Sequence, residues 1–80
     1  MSKLPVLKAK RIIKLLLKLG FYIHHQTGSH VQLRNSNKKY LRITIPRHDK
    51  FDLPASVILN ILKQAEINKE EFIKLLRKKK

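Results

Sequence analysis

Residues 21–45 read FYIHHQTGSHVQLRNSNKKYLRITI, and three short runs inside that stretch decide the fold. In SHVQLR (29–34), Val31 and Leu33 alternate with His30, Gln32 and Arg34. In YLRITI (40–45), Leu41, Ile43 and Ile45 alternate with Tyr40, Arg42 and Thr44. A period of two is the mark of a strand with one covered face and one solvated face, as in an antiparallel sheet. FYIHHQ (21–26) precedes them as a third strand. The breaks between runs, Thr27–Gly28 and Asn35–Lys39, carry hairpin residues. The sequence therefore predicts a three-stranded antiparallel meander over residues 21–45.

Helical periodicity flanks the meander on both sides. From Pro5 to Leu19, Ala9, Ile12, Ile13, Leu16 and Leu17 recur at three- and four-residue spacing. Lys8, Arg11, Lys14, Leu15 and Lys18 mark the opposite, mostly cationic side. Pro5 suits a first helical turn, and Gly20 stands where a left-handed stop is expected. A second helix is expected from Pro54 to about Ala65. Ile58, Ile61, Leu62 and Ala65 form its apolar side, and Val57 and Leu59 widen that arc enough to make it the most buried element. A third begins at Asn68, whose side chain can cap it in a reciprocal pair with Glu71, and Phe72, Leu75 and Leu76 dock it. The order α-β-β-β-α-α lacks βαβ alternation. It indicates an α+β fold with helices on one face of the sheet and the other face open.

Composition narrows the function. Eighty residues predict one domain, 1–80, with a single modest core and no room for a separate cofactor domain. Cysteine is absent, which excludes thiolate nucleophiles, disulfides and Cys-ligated zinc. Nineteen Lys plus Arg stand against five Asp plus Glu, a net charge of +14. Such a field attracts polyanions: nucleic acid, an anionic membrane or an acidic protein. Lys and Arg punctuate the apolar run of the first helix, so neither a secretory leader nor a membrane span is expected, and the expected location is cytoplasmic.

Strict alternation would place Tyr22, His24, Gln26, His30, Gln32, Arg34, Tyr40, Arg42 and Thr44 on the open face, and His25 toward the helices. On that face Arg34 and Arg42 suit phosphates, Tyr22 and Tyr40 suit stacking on bases, and the glutamines suit base edges. His30 adds proton-transfer chemistry, because imidazole titrates near neutrality and metal-free RNA cleavage needs a group to take the 2′-hydroxyl proton. Gly28 allows close backbone approach to a phosphate, and Ser29 sets a hydroxyl beside it. The competing reading is an ordinary solvated strand face whose histidine is merely tolerated. His24, His25 and His48 do not make a zinc site without cysteines and with so few carboxylates. Neither a metal nor a cofactor is expected.

The basic helix ending in LGF (19–21), QTGSH (26–30) leading into a strand, TIPRH (44–48) after the third strand and ILNILKQAEI (58–67) together resemble the HicA toxin family, over roughly residues 5–67. The resemblance implies a fold similar to double-stranded-RNA-binding domains and a metal-independent ribonuclease acting on mRNA. It places the catalytic histidine at His30, flanked by Gly28 and Ser29, and implies a HicB-type antitoxin that covers the active face. Thr27 departs from the basic residue many relatives carry, and NSNKK (35–39) is a shorter, less glycine-rich loop. On this reading Arg34, Arg42, Lys38, Lys39 and Arg47 hold phosphates, and His48 is the candidate for the second proton-transfer role. The alternative is a non-catalytic RNA-binding module of the same fold.

Overall fold

A computed structural model describes residues 7–47, 50 and 52–77. Its elements follow the order α1 (Ala9–Lys18), β1 (Phe21–Thr27), β2 (His30–Asn35), β3 (Arg42–Pro46), α2 (Ala55–Ala65) and α3 (Lys69–Arg77). The strands form one antiparallel sheet in the order β1-β2-β3, so the α-β-β-β-α-α, α+β expectation is met.

The core follows from the alternation. Val31 and Leu33 of β2 and Ile43 and Ile45 of β3 are buried beneath the helices, and Gln32, Thr44 and Arg42 between them face solvent. Burying an aliphatic side chain of this kind is worth roughly 1.5–3 kcal/mol. Ala9, Ile12, Ile13 and Leu16 of α1 meet them, as do Ile58, Ile61, Leu62 and Ala65 of α2 and Phe72 of α3.

Two details of the helices differ from the periodicity argument. In α1, Leu15 is buried at 7% exposure and Leu17 is 44% exposed, the reverse of the expected assignment. The leucines run consecutively from Leu15 to Leu17, so spacing alone does not settle which flank of Leu16 the sheet covers. Leu59 is also exposed, and α2 buries four residues against five in α1, so α2 is not the most buried element. Leu7 is extended rather than helical, and its carbonyl accepts the Leu53 N–H at 2.7 Å. That bridge ties the approach to α1 to the approach to α2. Pro5 lies outside the described residues.

Two helix ends carry the expected caps. Gly20, at φ +95°, stops α1. Asn68 Oδ1 accepts the Glu71 N–H at 2.7 Å, capping α3. At the end of α2, the Ile67 N–H donates to Leu62 O and the Glu66 N–H to Lys63 O, the paired bonds of a Schellman motif. The left-handed residue there is Glu66, φ +58°, where glycine is usual. The outer edge of β3 is partly covered by α2, because Gln64 Oε1 accepts the Thr44 N–H at 3.2 Å.

Candidate nucleic-acid interface

The strand register sorts the open face into three cross-strand rows. Residues directly opposite one another in an antiparallel sheet project on the same side. His30 pairs with Thr27 and Pro46, Gln32 with His25 and Thr44, and Arg34 with Tyr22 and Arg42. The buried Val31 and Leu33 lie between these rows in sequence, so the rows face away from the helices.

The middle row corrects the sequence expectation. β1 carries an irregularity between Ile23 and His25, which pair with the adjacent residues Leu33 and Gln32. His24 is the extra residue of a β-bulge. Beyond it the parity of β1 reverses. His25, expected to point toward the helices, thus joins the open face with His30, and Gln26 pairs with the inward-facing Val31. Simple alternation misses this, and nothing in FYIHHQ marks the site of the bulge.

Tyr40 is a second correction. It precedes β3, in a turn where the Leu41 N–H donates to Lys38 O, and so lies outside the sheet rows. Its hydroxyl donates to Glu66 Oε1 at 2.8 Å, and that hydrogen bond, with some desolvation and the nearby carboxylate charge, raises its pKa above 10. Of the two tyrosines expected to stack on bases, only Tyr22 is on the face, 43% exposed.

The first hairpin turn is Gly28–Ser29, one residue later than the sequence expectation. Gly28 has φ +54° and Ser29 does not have positive φ, the pattern of a type II′ turn with glycine first. The Arg47 N–H donates to Ser29 O, which brings the end of β3 against this turn. Gly28, Ser29, His30 and Arg47 are thus assembled at one end of the sheet. His30 is exposed at that end. His48, the candidate partner in proton transfer, lies outside the described residues.

At the other end, Tyr22, Arg34 and Lys39 line one shallow recess with Asn35 and Ser36, and Arg34 and Arg42 line another with Gln32 and Thr44. Asn35, buried and absent from the sequence-based site, shapes this loop: its Oδ1 accepts the N–H groups of Asn37 at 2.8 Å and Lys38 at 2.9 Å. An asparagine opening a polar loop is the available signal for such a turn. Lys38 departs from the other cations. It lines a separate groove with Glu66 and Glu71.

No strand carries a carboxylate. Of the described acidic residues, Asp52 pairs with Lys8 at 3.6 Å, Glu66 accepts from Tyr40, and Glu70 and Glu71 lie in α3. Among the described residues the open face is therefore cationic and aromatic, with no carboxylate on its strands. Among the described residues no three His, Asp or Glu side chains gather as a metal site, and no helix is long and apolar enough to cross a membrane.

A family model for the HicA toxin of bacterial toxin-antitoxin systems matches residues 9–67, well over half of the chain. No curated protein and no solved structure gives a significant match.

Proposed function

This chain belongs to the HicA toxin family of bacterial toxin-antitoxin systems, and on that premise we propose that it is a metal-independent endoribonuclease acting on mRNA, with His30 as its proton-transfer residue. The observation that carries the proposal is the position of His30. It is an exposed imidazole at the start of β2, beside a glycine turn, on a sheet face whose strands carry cations and, among the described residues, no carboxylate.

The chemistry that suits such a site is transesterification. His30 takes the proton of a ribose 2′-hydroxyl, the 2′-oxygen attacks the adjacent phosphorus, and the bond from phosphorus to the 5′-oxygen breaks. That oxygen leaves with a proton from a second donor, for which His48 is the candidate. The products are a 2′,3′-cyclic phosphate and a 5′-hydroxyl. The backbone at Gly28 leaves room for close phosphate approach, because a Cβ there would meet nothing within 4 Å. Arg47 and Ser29 lie alongside. A positioned imidazole contributes on the order of 10²–10⁴-fold.

Toxicity restrained by a partner fits the same face. An acidic HicB-type antitoxin laid over the open sheet would neutralise its field and cover His30 at once. The compartment consistent with an mRNA substrate is the cytoplasm.

The test is incubation of purified protein with single-stranded RNA in EDTA, with His30→Ala alongside. The expected result is cleavage by the native protein to cyclic-phosphate ends and at least a 100-fold loss in the variant with unchanged circular dichroism. A folded variant that cleaves equally well overturns the role of His30. RNA retarded on a gel but never cut makes the protein a binding module instead.

A further inference from the structure

Arg34 and Arg42 stand directly opposite each other across β2 and β3. Cβ atoms of such a pair are about 4.5–5.5 Å apart, and like charges placed so destabilise a sheet. Among the described residues neither arginine has an ion pair with a carboxylate. Tyr22 completes the row on the same face, and Lys39 lines the recess shared by Tyr22 and Arg34. An uncompensated arginine pair beside an exposed aromatic ring is an arrangement an anion with a stacking group would stabilise.

The row lies a fixed distance from His30. Residues i and i+2 of a strand are about 6.8 Å apart on one face, so Arg34 is about 13 Å along β2 from His30. The shorter spacing is close to the contour distance between neighbouring phosphates of an extended nucleic-acid strand. Between the two rows stand Gln32 and Thr44, which offer neutral hydrogen bonds, and His25, brought onto the face by the bulge.

We infer that the open face is a track for single-stranded RNA running along β2, in which Arg34 and Arg42 clamp the phosphate two steps from the bond broken at His30 and Tyr22 stacks on the adjoining base. The inference rests on the ribonuclease reading for the identity of the bond at His30. A single strand is the better fit because its bases are free to meet Tyr22, whereas those of an A-form duplex are stacked within it.

The experiment uses DNA oligonucleotides carrying one ribonucleotide, which fixes the cleavage position, with each flanking phosphate replaced in turn by a neutral methylphosphonate. Replacement two phosphates away, on one side, is expected to lower kcat/KM at least about ten-fold, the worth of one charge-assisted contact. In Arg34→Gln/Arg42→Gln that sensitivity is expected to vanish, with a melting temperature equal to or above the native one because the repulsion is gone. Arg42→Gln alone provides an intermediate case.

Fluorescence anisotropy on all-deoxy versions repeats the scan without cleavage. A binding profile with the same maximum, in a protein that cuts nothing, supports the clamp and overturns the ribonuclease reading. Cleavage with a flat methylphosphonate profile, or with equal sensitivity in the double variant, overturns the clamp and leaves the ribonuclease standing. Tighter binding to duplex than to single-stranded RNA also overturns it.

Discussion

Tyr40 donates its hydroxyl to Glu66, and that bond needs the phenol protonated. Its folded-state pKa is raised above 10, first by the hydrogen bond and then by desolvation and the carboxylate charge. A raised folded value means the contribution to stability is complete below pH 10 and is lost as pH climbs through the folded pKa. Tyr40→Phe should therefore melt below the native protein at neutral pH, and the gap should close in strongly alkaline buffer. A gap that stays constant across that range would show that Tyr40 stabilises through its ring alone. RNA binding should be affected little by this change, because Tyr40 lies off the sheet face, whereas Tyr22→Ala should weaken it. Stacking on an aromatic is worth about 1–3 kcal/mol per base, so the two variants are readily distinguished by anisotropy.

At the scale of elements, α3 begins beyond residue 67, where the family match ends, yet it supplies a ring to the common core. Phe72 is among the largest fully buried side chains, whereas Leu75 and Leu76 of the same helix are only partly covered. Truncating a buried phenylalanine costs about 3–5 kcal/mol through lost burial and the cavity left behind. Phe72→Ala should lose that much in chemical denaturation, and Leu76→Ala distinctly less; equal losses would mean that α3 is not anchored by its ring. The end of α2 offers a complementary change. Glu66 holds a left-handed conformation that costs a non-glycine residue roughly 1–2 kcal/mol. Made in a Tyr40→Phe background, so that no hydrogen bond is sacrificed, Glu66→Gly should raise the melting temperature. The helix caps were legible from sequence because their chemistry is local: Gly20 after α1 and Asn68 three residues before Glu71.

At the scale of the whole molecule, the net charge is +14, and the described cations include members of both layers. Lys10, Arg11 and Lys14 are exposed on α1, in the helical layer, and Arg34, Arg42 and Lys39 belong to the sheet side. An RNA held on the open face by three phosphates should show a slope of about −2 in log K against log salt, at −0.7 per phosphate for a single strand. A slope several times steeper would mean that the α1 cations share the contact. Already legible in the sequence were the element order, the inward residues of β2 and β3, the caps at Gly20 and Asn68, the basic field and the absence of cysteine chemistry. Each of these is written in composition or in a period within one segment. Which side chains meet on the face was left to the tertiary structure: the bulge that turns His25 onto it and Gln26 off it, the turn that hands Tyr40 to Glu66, and the register that sets Arg34 against Arg42. These depend on hydrogen bonds between segments, and a one-residue slip there moves every later side chain to the opposite face without altering the local pattern.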